Sequence, residues 1–265
     1  MKLAVSNIAW PADLDSAAFA LLAEQGVSGI EVAPTRVWPE WAGITVHTVR
    51  EFRHLVESSG LRVSSLQSIL FQRPELQLFG SPQALREHLW RCADLAQDLG
   101  AGCLVFGAPK NRQRGEVPAE NAFEMAAEFF SSVSEYYAKL GLCIGLEPNP
   151  REYGCDFVTE TGTAARLVRR VNSPGFRLHL DSACLYLAGE SPRSAVEADA
   201  DILAHFHASE PYLGAFAQPV VPHSLAADSL RRVGYTGWVA LEMRSAEPVL
   251  PSLRQAIGYL KGTYA

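Results

Sequence analysis

Four acidic or imidazole side chains follow short apolar runs in the second half of the chain. They are Glu147 in GLEPNP, Asp181 in LHLD, His207 in HFHASE and Glu242 in ALEMR. A carboxylate at the end of a buried run is costly unless it is paired or coordinated, and three carboxylates brought together would repel one another. A divalent cation would remove that repulsion. Oxygen-rich ligation with one imidazole suits Mn²⁺, Mg²⁺ or Co²⁺, and Zn²⁺ is also possible.

The spacing of these four residues supports a shared site. The intervals between positions 147, 181, 207 and 242 each correspond to about one strand-helix unit. Taken singly, such a glutamate is more often a helix cap, an ion-pair partner or a solvated charge, and a lone histidine is more often a hydrogen-bonded rim residue. Four of them at the same place in successive units favour a metal site made by Glu147, Asp181, His207 and Glu242.

The elements that must position these residues form a repeated pattern. Eight apolar runs that are typical of strands covered on both faces alternate with amphipathic segments that end at glycine, such as Gly26, Gly60, Gly100 and Gly141. The runs are LAVSNI, GIEVAP, RVSSLQSI, CLVFGAP, CIGLEP, FRLHLDS, LAHFHAS and WVALEM. This pattern predicts a single α/β domain over residues 1–265, a (β/α)₈ TIM barrel, in which the carboxyl ends of the strands share one mouth. The alternative is a doubly wound open sheet, but no G-x-G-x-x-G follows the first strand, and we expect no nucleotide cofactor.

Composition narrows the classes of function. The chain of 265 residues has a net charge of −6 and a pI of about 5.7, which disfavours a nucleic-acid partner. The N-terminal residues do not resemble a signal peptide, and no run of about 18 apolar residues suggests a membrane span. The five cysteines have no zinc-knuckle spacing. We therefore expect a reduced, cytoplasmic protein with no membrane partner.

Further polar residues lie near the predicted mouth. Alternation along a strand puts His179 and His205 on the same face as Asp181 and His207, one layer deeper, as polar core or as residues that orient the ligands. Two polar stretches, KNRQRGEVPAE and EPYLGAFAQPVVPH, are candidate active-site loops. The basic residues of the first, Lys110, Arg112 and Arg114, are expected on the solvated surface; the alternative is a lid that attracts a carboxylate or phosphate.

At GLEPNP, LHLDSACLY, HFHASEP and YTGWVALEM the sequence resembles the xylose isomerase-like TIM-barrel superfamily, which includes ketose 3-epimerases, hydroxypyruvate isomerase, inosose dehydratase and endonuclease IV. The resemblance implies one divalent metal held by Glu147, Asp181, His207 and Glu242. It also implies that Glu147 and Glu242 act as acid and base on the two faces of a sugar carbon.

The sequence departs from typical epimerases at substrate-holding positions. Cys184 replaces a histidine three residues after the aspartate, Leu213 replaces an arginine, and Tyr153 replaces an acid, with Glu152 one place earlier. The histidines that the endonuclease branch carries on strands 3 and 4 are also absent, because Gln67 and Phe106 stand there. The resemblance therefore favours the sugar-isomerising branch without identifying the sugar.

We thus expect a metal-dependent isomerase, an epimerase or an aldose-ketose isomerase, acting on a small sugar or hydroxyketone by proton transfer through a metal-stabilised enediolate. The alternatives are a dehydratase of a keto-sugar or keto-inositol, a non-catalytic sugar- or metal-binding barrel, and a subunit of a larger assembly, a homo-oligomer included, with the YLGAFAQPVV loop as its contact surface. Glu31 is expected to bind a sugar hydroxyl or to form an ion pair, and Trp10 to wall the sugar site or to pack its loop. The full set of candidate substrate contacts is Asn7, Trp10, Glu31, Gln67, Glu152, Cys184, Glu210 and Arg244.

Overall fold

The computed structural model describes residues 1–265, and its eight strands close into a parallel barrel. Each strand pairs with the next along the chain, and the last pairs with the first, with Leu3 opposite Val239. The strands are β1 (Lys2–Ser6), β2 (Gly29–Val32), β3 (Arg62–Leu66), β4 (Cys103–Phe106), β5 (Cys143–Leu146), β6 (Phe176–Asp181), β7 (Leu203–Ser209) and β8 (Trp238–Glu242). The predicted (β/α)₈ TIM barrel is confirmed.

Ten helices surround the barrel; nine lie in the connections between strands, and the tenth follows the last strand. They are α1 (Asp15–Glu24), α2 (Pro34–Val37), α3 (Val46–Ser58), α4 (Pro82–Leu99), α5 (Ala119–Lys139), α6 (Thr161–Val171), α7 (Ser182–Leu187), α8 (Pro192–Ala198), α9 (His223–Arg232) and α10 (Val249–Tyr264). Glycine is favoured after α4 for a conformational reason. Gly100 has a left-handed backbone with φ +80° and donates its N–H to carbonyl oxygens of the helix. None of the helices combines the length and the apolar character that a membrane crossing requires.

Seven of the eight strands end before the apolar runs that predict them, and only β7 matches its run; β1 and β3 are two examples. The first run continues to Ile8, but β1 ends at Ser6 and a 3₁₀ turn begins at Asn7. The third run continues to Ile69, but β3 ends at Leu66, and Ser68 has a left-handed φ of 53°. A residue with a left-handed backbone cannot continue a β-strand. The strand therefore ends although apolar residues continue into the loop.

The main apolar core lies between the barrel and its helices. Phe106 and Phe176 point outward from their strands and both pack on Phe130 of α5, with ring centroids 5.3 and 4.4 Å apart. Inside the barrel the side chains are more polar, and His179, His205 and His207 are all buried there. The layers outside the sheet supply the hydrophobic stability, which leaves the interior available for polar groups.

A buried histidine supports the loop of residues 67–74, which follows β3. The imidazole of His88 on α4 lies with Nε2 2.8 Å from the carbonyl oxygen of Ile69, and its ring centroid is 4.4 Å from that of Trp41. Burial lowers the pKa of His88 to about 4. The neutral imidazole is therefore part of the native packing at neutral pH.

Acidification is expected to weaken this packing. An unfolded chain protonates its histidines near pH 6.5, whereas native His88 stays neutral until about pH 4, so the unfolded state binds more protons in between. The contribution of His88 is thus fully present above pH 6.5 and is lost as the pH falls.

Between pH 7 and pH 4.5 the free energy of unfolding should drop by about 2 kcal/mol more in the wild type than in His88→Gln. Urea titrations at the two pH values measure this; His47→Gln, an exposed histidine on α3, is the control and should behave as the wild type. Equal pH dependence in His88→Gln and the wild type would contradict the assignment.

Candidate metal and active site

Four side chains converge at the carboxyl-terminal end of the barrel. Glu147 directly follows β5, Asp181 and Glu242 are the last residues of β6 and β8, and His207 lies near the end of β7. Oxygen or nitrogen atoms of Glu147, Asp181 and His207 lie within 4.8 Å of one another. The Nδ1 atom of His207 is 3.4 Å from Oε2 of Glu242 and 3.8 Å from Oδ2 of Asp181. The structure therefore brings together the four residues that the sequence analysis selects as metal ligands.

His207 is held from behind by Glu31. The Nε2 atom of His207 lies 3.0 Å from Oε1 of Glu31, and the same oxygen also lies 3.0 Å from Nε2 of His205 and accepts from Oγ of Ser65 at 2.7 Å. Burial opposes ionisation of Glu31, but the charge of His207 and the hydrogen bonds from both histidines outweigh it and hold the pKa of Glu31 well below its usual range. The Nε2 proton of His207 is thus committed to Glu31, which directs Nδ1 towards Asp181 and Glu242.

The donor set fits a divalent cation. Nδ1 of His207 is buried and has no hydrogen-bond partner, although carboxylates of Asp181 and Glu242 face it. Ligands at about 2.1 Å from a cation lie about 3 Å apart when they are adjacent, which is close to these separations. Burial, together with the charges of Glu147 and Glu242, raises the pKa of Asp181 to about 7. Without a cation the cluster therefore retains protons, and a cation would take their place.

Replacement of Glu31 by glutamine tests this supporting contact. The Glu31→Gln side chain would keep the shape but lose the charge that fixes His207, so we expect the affinity for Mn²⁺ to fall by about 10- to 100-fold. Isothermal titration calorimetry of metal-free protein with MnCl₂ measures it. Glu120→Gln, an exposed carboxylate at the start of α5, should bind as the wild type does. Unchanged affinity in Glu31→Gln would show that Glu31 does not tune His207.

The carboxylate of Glu147 occupies a closely fitted position. Its Oε2 accepts from Nδ2 of Asn149 at 2.8 Å, and its Oε1 is 3.4 Å from Nε2 of His179. A Cβ atom added to Gly107 would lie only 2.3 Å from Oε2. Although burial opposes ionisation, the polar contact with His179 and its charge lower the pKa of Glu147 to about 2, and Asn149 contributes. The Glu147 carboxylate can therefore occupy this position only because residue 107 has no side chain.

Asp181 is fixed by the start of α7. Its Oδ1 accepts from the backbone N–H of Cys184 at 2.7 Å, as an N-cap, and its Oδ2 accepts from Oγ of Ser209 at 2.5 Å. One oxygen thus caps the helix while the other faces the cluster beside Ser209.

His179 and His205 lie one layer deeper, as their strand positions predict. Their ring centroids are 5.3 Å apart and nearly stacked, and His179 meets His207 edge-on at 4.2 Å. Both ring nitrogens of His179 lack a hydrogen-bond partner, and burial lowers its pKa to about 3. His205 is bonded to Glu31 and so belongs to the support of His207.

A cavity of about 550 Å³ opens above the cluster. Glu147, His207 and Glu242 lie at its base, and its walls come from residues 67–74 after β3 and residues 107–111 after β4. The volume is within the usual range for small-molecule sites. The polar stretch after β4 therefore contributes to the cavity, whereas the stretch after β7 does not line it.

The eight candidate substrate contacts are distributed unevenly around this cavity. Gln67 alone among them lines it. Asn7, Trp10 and Glu31 are buried, and the indole N–H of Trp10 donates to Asp15 at 2.8 Å. Cys184 and Glu210 are also buried, and Glu152 and Arg244 are exposed on the rim.

Glu210 is engaged with its own loop. Its carboxylate accepts from the backbone N–H groups of Val220 and Val221 at 2.9 and 3.2 Å and lies 2.9 Å from Nε2 of His223. These contacts tie the start and end of the YLGAFAQPVV segment together. The geometry of Glu210 therefore favours a role in holding this loop over contact with a ligand.

Sequence reasoning missed three residues that contact or support Glu147: Gly107, Arg112 and Asn149. Asn149 stands two residues after Glu147 in the quoted GLEPNP motif, so its position was a usable signal. The basic run Lys110, Arg112 and Arg114 predicts solvated side chains, but this prediction is wrong for Arg112, which is 1% exposed. Its burial depends on contacts with residues 35 to 46 positions away, which no local pattern contains.

Comparison with known proteins identifies a matching family model and two curated relatives. The family model described as xylose isomerase-like TIM barrel matches residues 19–263. The chain is 25% identical over 214 residues to a ketose 3-epimerase of Arthrobacter globiformis, which covers 80% of this chain and 71% of the relative. It is 24% identical over 256 residues to an L-ribulose 3-epimerase of Methylomonas sp. (strain DH-1), covering 94% and 87%.

A solved structure shares the same fold. The D-psicose 3-epimerase of Clostridium cellulolyticum H10, solved with D-tagatose, superposes with a TM-score of 0.84 over 100% of this chain and 99% of that one, at 14% identity. At this identity the similarity describes the arrangement of strands and helices, and the chemistry must be argued from the residues themselves.

Proposed function

Because the chain belongs to the xylose isomerase-like TIM-barrel family, we propose that it is a divalent-metal-dependent sugar epimerase or isomerase that uses Glu147 and Glu242 as its acid and base. The two relatives named as 3-epimerases support the reaction class. The observation that carries the proposal is the convergence of Glu147, Asp181, His207 and Glu242, three of which, Glu147, His207 and Glu242, line the base of one cavity.

A bound divalent cation would supply Lewis-acid stabilisation of the negative charge that develops on a substrate carbonyl oxygen. Glu147, Asp181, Glu242 and Nδ1 of His207 would hold it. Nδ1 suits this role because it is buried, unpaired and directed by the contact between Nε2 and Glu31.

Proton transfer falls to the two glutamates. Glu147 and Glu242 come from β5 and β8, with β6 and β7 between them, and both border the cavity. Carboxylates from separated strands can approach a substrate carbon from different sides. One glutamate removes the proton next to the carbonyl and the other returns it. Return to the opposite face gives epimerisation, and return to the neighbouring carbon gives isomerisation.

The cavity helps by limiting solvent at these groups. Its walls include Ile69, Leu70, Val105 and Pro109, whose apolar surfaces would leave less room for water beside a bound sugar. In such a site the carboxylates interact more strongly with developing charge than they would in water.

The test is a deuterium-exchange assay. Protein stripped with EDTA and reloaded with Mn²⁺ is incubated in D₂O with a panel of ketopentoses and ketohexoses, and the products are followed by NMR. We expect deuterium next to the carbonyl and an epimer or isomer, both lost after EDTA. An unsaturated or deoxy product would instead identify a dehydratase. Tight Mn²⁺ binding with no exchange on any sugar would identify a binding protein.

A further inference from the structure

The guanidinium of Arg112 is buried without an acidic partner. It lies in the loop after β4 and is 1% exposed. Its Nη1 donates to the carbonyl oxygen of Phe106 at 3.2 Å, and its Nη2 donates to the carbonyl oxygens of Glu147 and Val158 at 2.7 and 3.4 Å. A buried charge bonded only to neutral oxygens is costly, so this arrangement is unlike an ordinary ion pair.

The fourth acceptor of Arg112 links it to the active-site carboxylate. Nη2 of Arg112 donates to Oδ1 of Asn149 at 2.9 Å, and Nδ2 of Asn149 donates to Oε2 of Glu147 at 2.8 Å. A guanidinium has donors only, so it must face the amide oxygen of Asn149. The amide nitrogen is then directed at Glu147, and the opposite orientation of Asn149 would set donor against donor.

We propose that Arg112 and Asn149 are positioning residues for Glu147, and that Arg112 acts through the side-chain amide of Asn149. Arg112 also bonds the backbone oxygen of Glu147, so it restrains both ends of that residue. The inference deepens the proposed function, on which its catalytic consequence rests. Its structural consequence, the location of the Glu147 carboxylate, stands independently of the reaction.

The other contacts of the Glu147 carboxylate cannot replace this restraint. Nε2 of His179 is 3.4 Å from Oε1 but does not form a well-aligned hydrogen bond, and Gly107 offers only space. Without Asn149 the glutamate side chain could rotate into the open cavity. A displacement of about 1 Å at a reacting group can cost about 100-fold in rate.

Three variants test the contributions of the Asn149 amide and of the Arg112 guanidinium separately. Asn149→Ala removes the amide; Arg112→Met removes the charge and the donors; and Arg112→Lys keeps the charge but loses the planar guanidinium, whose Nη2 bonds Asn149 and the Glu147 backbone while its Nη1 bonds Phe106. We expect each to lower the affinity for Mn²⁺ by about tenfold and kcat by about 100-fold, with a smaller change in KM. Calorimetry with MnCl₂ and the D₂O exchange assay provide these values.

The double variant Arg112→Met/Asn149→Ala tests whether the two residues act as a unit. If Arg112 acts through Asn149, the loss of Mn²⁺ affinity in the double variant should match that of the more severe single variant. If the losses of Mn²⁺ affinity in the two single variants multiply in the double variant, the residues act independently. The proposal that Arg112 acts through Asn149 would then fail. Wild-type Mn²⁺ affinity in Arg112→Lys would likewise overturn the role of the planar guanidinium.

Arg114→Met is the matched control. Arg114 lies in the same loop, is half-buried, and its Nη1 donates to the carbonyl oxygen of Val117 at 2.7 Å, away from Glu147. It should keep wild-type Mn²⁺ affinity and kcat. If Asn149→Ala lowered only the melting temperature, with Mn²⁺ affinity and kcat unchanged, the role would be structural and the proposal would fail.

Crystal structures of metal-free wild type and Asn149→Ala separate this inference from the proposed function. We expect the Glu147 carboxylate to leave its site above Gly107 in the variant. An unmoved carboxylate would contradict the positioning role even if the enzyme turns over sugars. A displaced carboxylate would support it even if no sugar on the panel is a substrate.

Discussion

Glu147→Gln and Glu242→Gln are each expected to abolish exchange of solvent deuterium into a turned-over sugar. Each substitution keeps the size of the side chain but removes its capacity to accept and return a proton. Acid–base groups contribute about 10²- to 10⁴-fold to such rates, and both glutamates border the cavity. NMR of substrate incubated in D₂O with saturating Mn²⁺ measures the exchange.

Metal loss must be distinguished from loss of proton transfer, because both glutamates are also candidate ligands. Metal analysis of each variant at saturating Mn²⁺ gives the occupancy. A fully occupied variant without exchange supports the acid–base role directly. Exchange at the wild-type rate in both glutamine variants would rule out that role, whereas Glu120→Gln should leave the rate unchanged.

Gly107→Ala is expected to reduce activity strongly with little effect on stability. The new Cβ would lie 2.3 Å from Oε2 of Glu147 and 3.6 Å from Oδ1 of Asn149. The nearest atom is the end of a flexible side chain, so the carboxylate can move away at small cost to folding. That movement takes Glu147 from its position beside Asn149, and we expect kcat to fall by about 100-fold. Exchange kinetics and thermal unfolding of the same preparation measure both effects.

Gly102→Ala is the control for this prediction. Gly102 precedes the same strand, and a Cβ added there would meet no atom within 4 Å. It should retain wild-type kcat. Wild-type kcat in Gly107→Ala would mean that the location of the Glu147 carboxylate is not critical. A large fall in melting temperature would mean that the strand, not the side chain, had given way.

The barrel was predictable because its signals are local. Buried parallel strands appear as continuous apolar runs, and a left-handed C-terminal residue after a helix favours glycine. Both signals are visible in short windows, as at Gly100 and at CIGLEP. The boundaries were less predictable, because Ser68 leaves the sheet through its backbone conformation while the apolar letters continue.

The candidate ligands were also predictable, because the order of strands around a parallel barrel follows their order in the sequence. A polar residue at the end of each of four neighbouring strands must reach the same mouth. Glu147, Asp181, His207 and Glu242 could therefore be grouped before any coordinates were known. Glu31 could not be assigned between a sugar contact and an ion pair, because its partners His205 and His207 lie on a strand across the barrel.

The sequence alone determined the closed barrel, its order of strands and which four polar side chains meet at the carboxyl end of the barrel. Only the tertiary structure decided which groups hold those side chains in place: Glu31 behind His207, and Gly107, Asn149 and Arg112 around Glu147. The physical reason is that hydrophobic periodicity is carried by neighbouring residues, whereas a hydrogen bond or a steric fit depends on atoms from distant segments. The sequence does not distinguish a buried arginine from a solvated one, because the difference depends on partners that only the fold brings into contact.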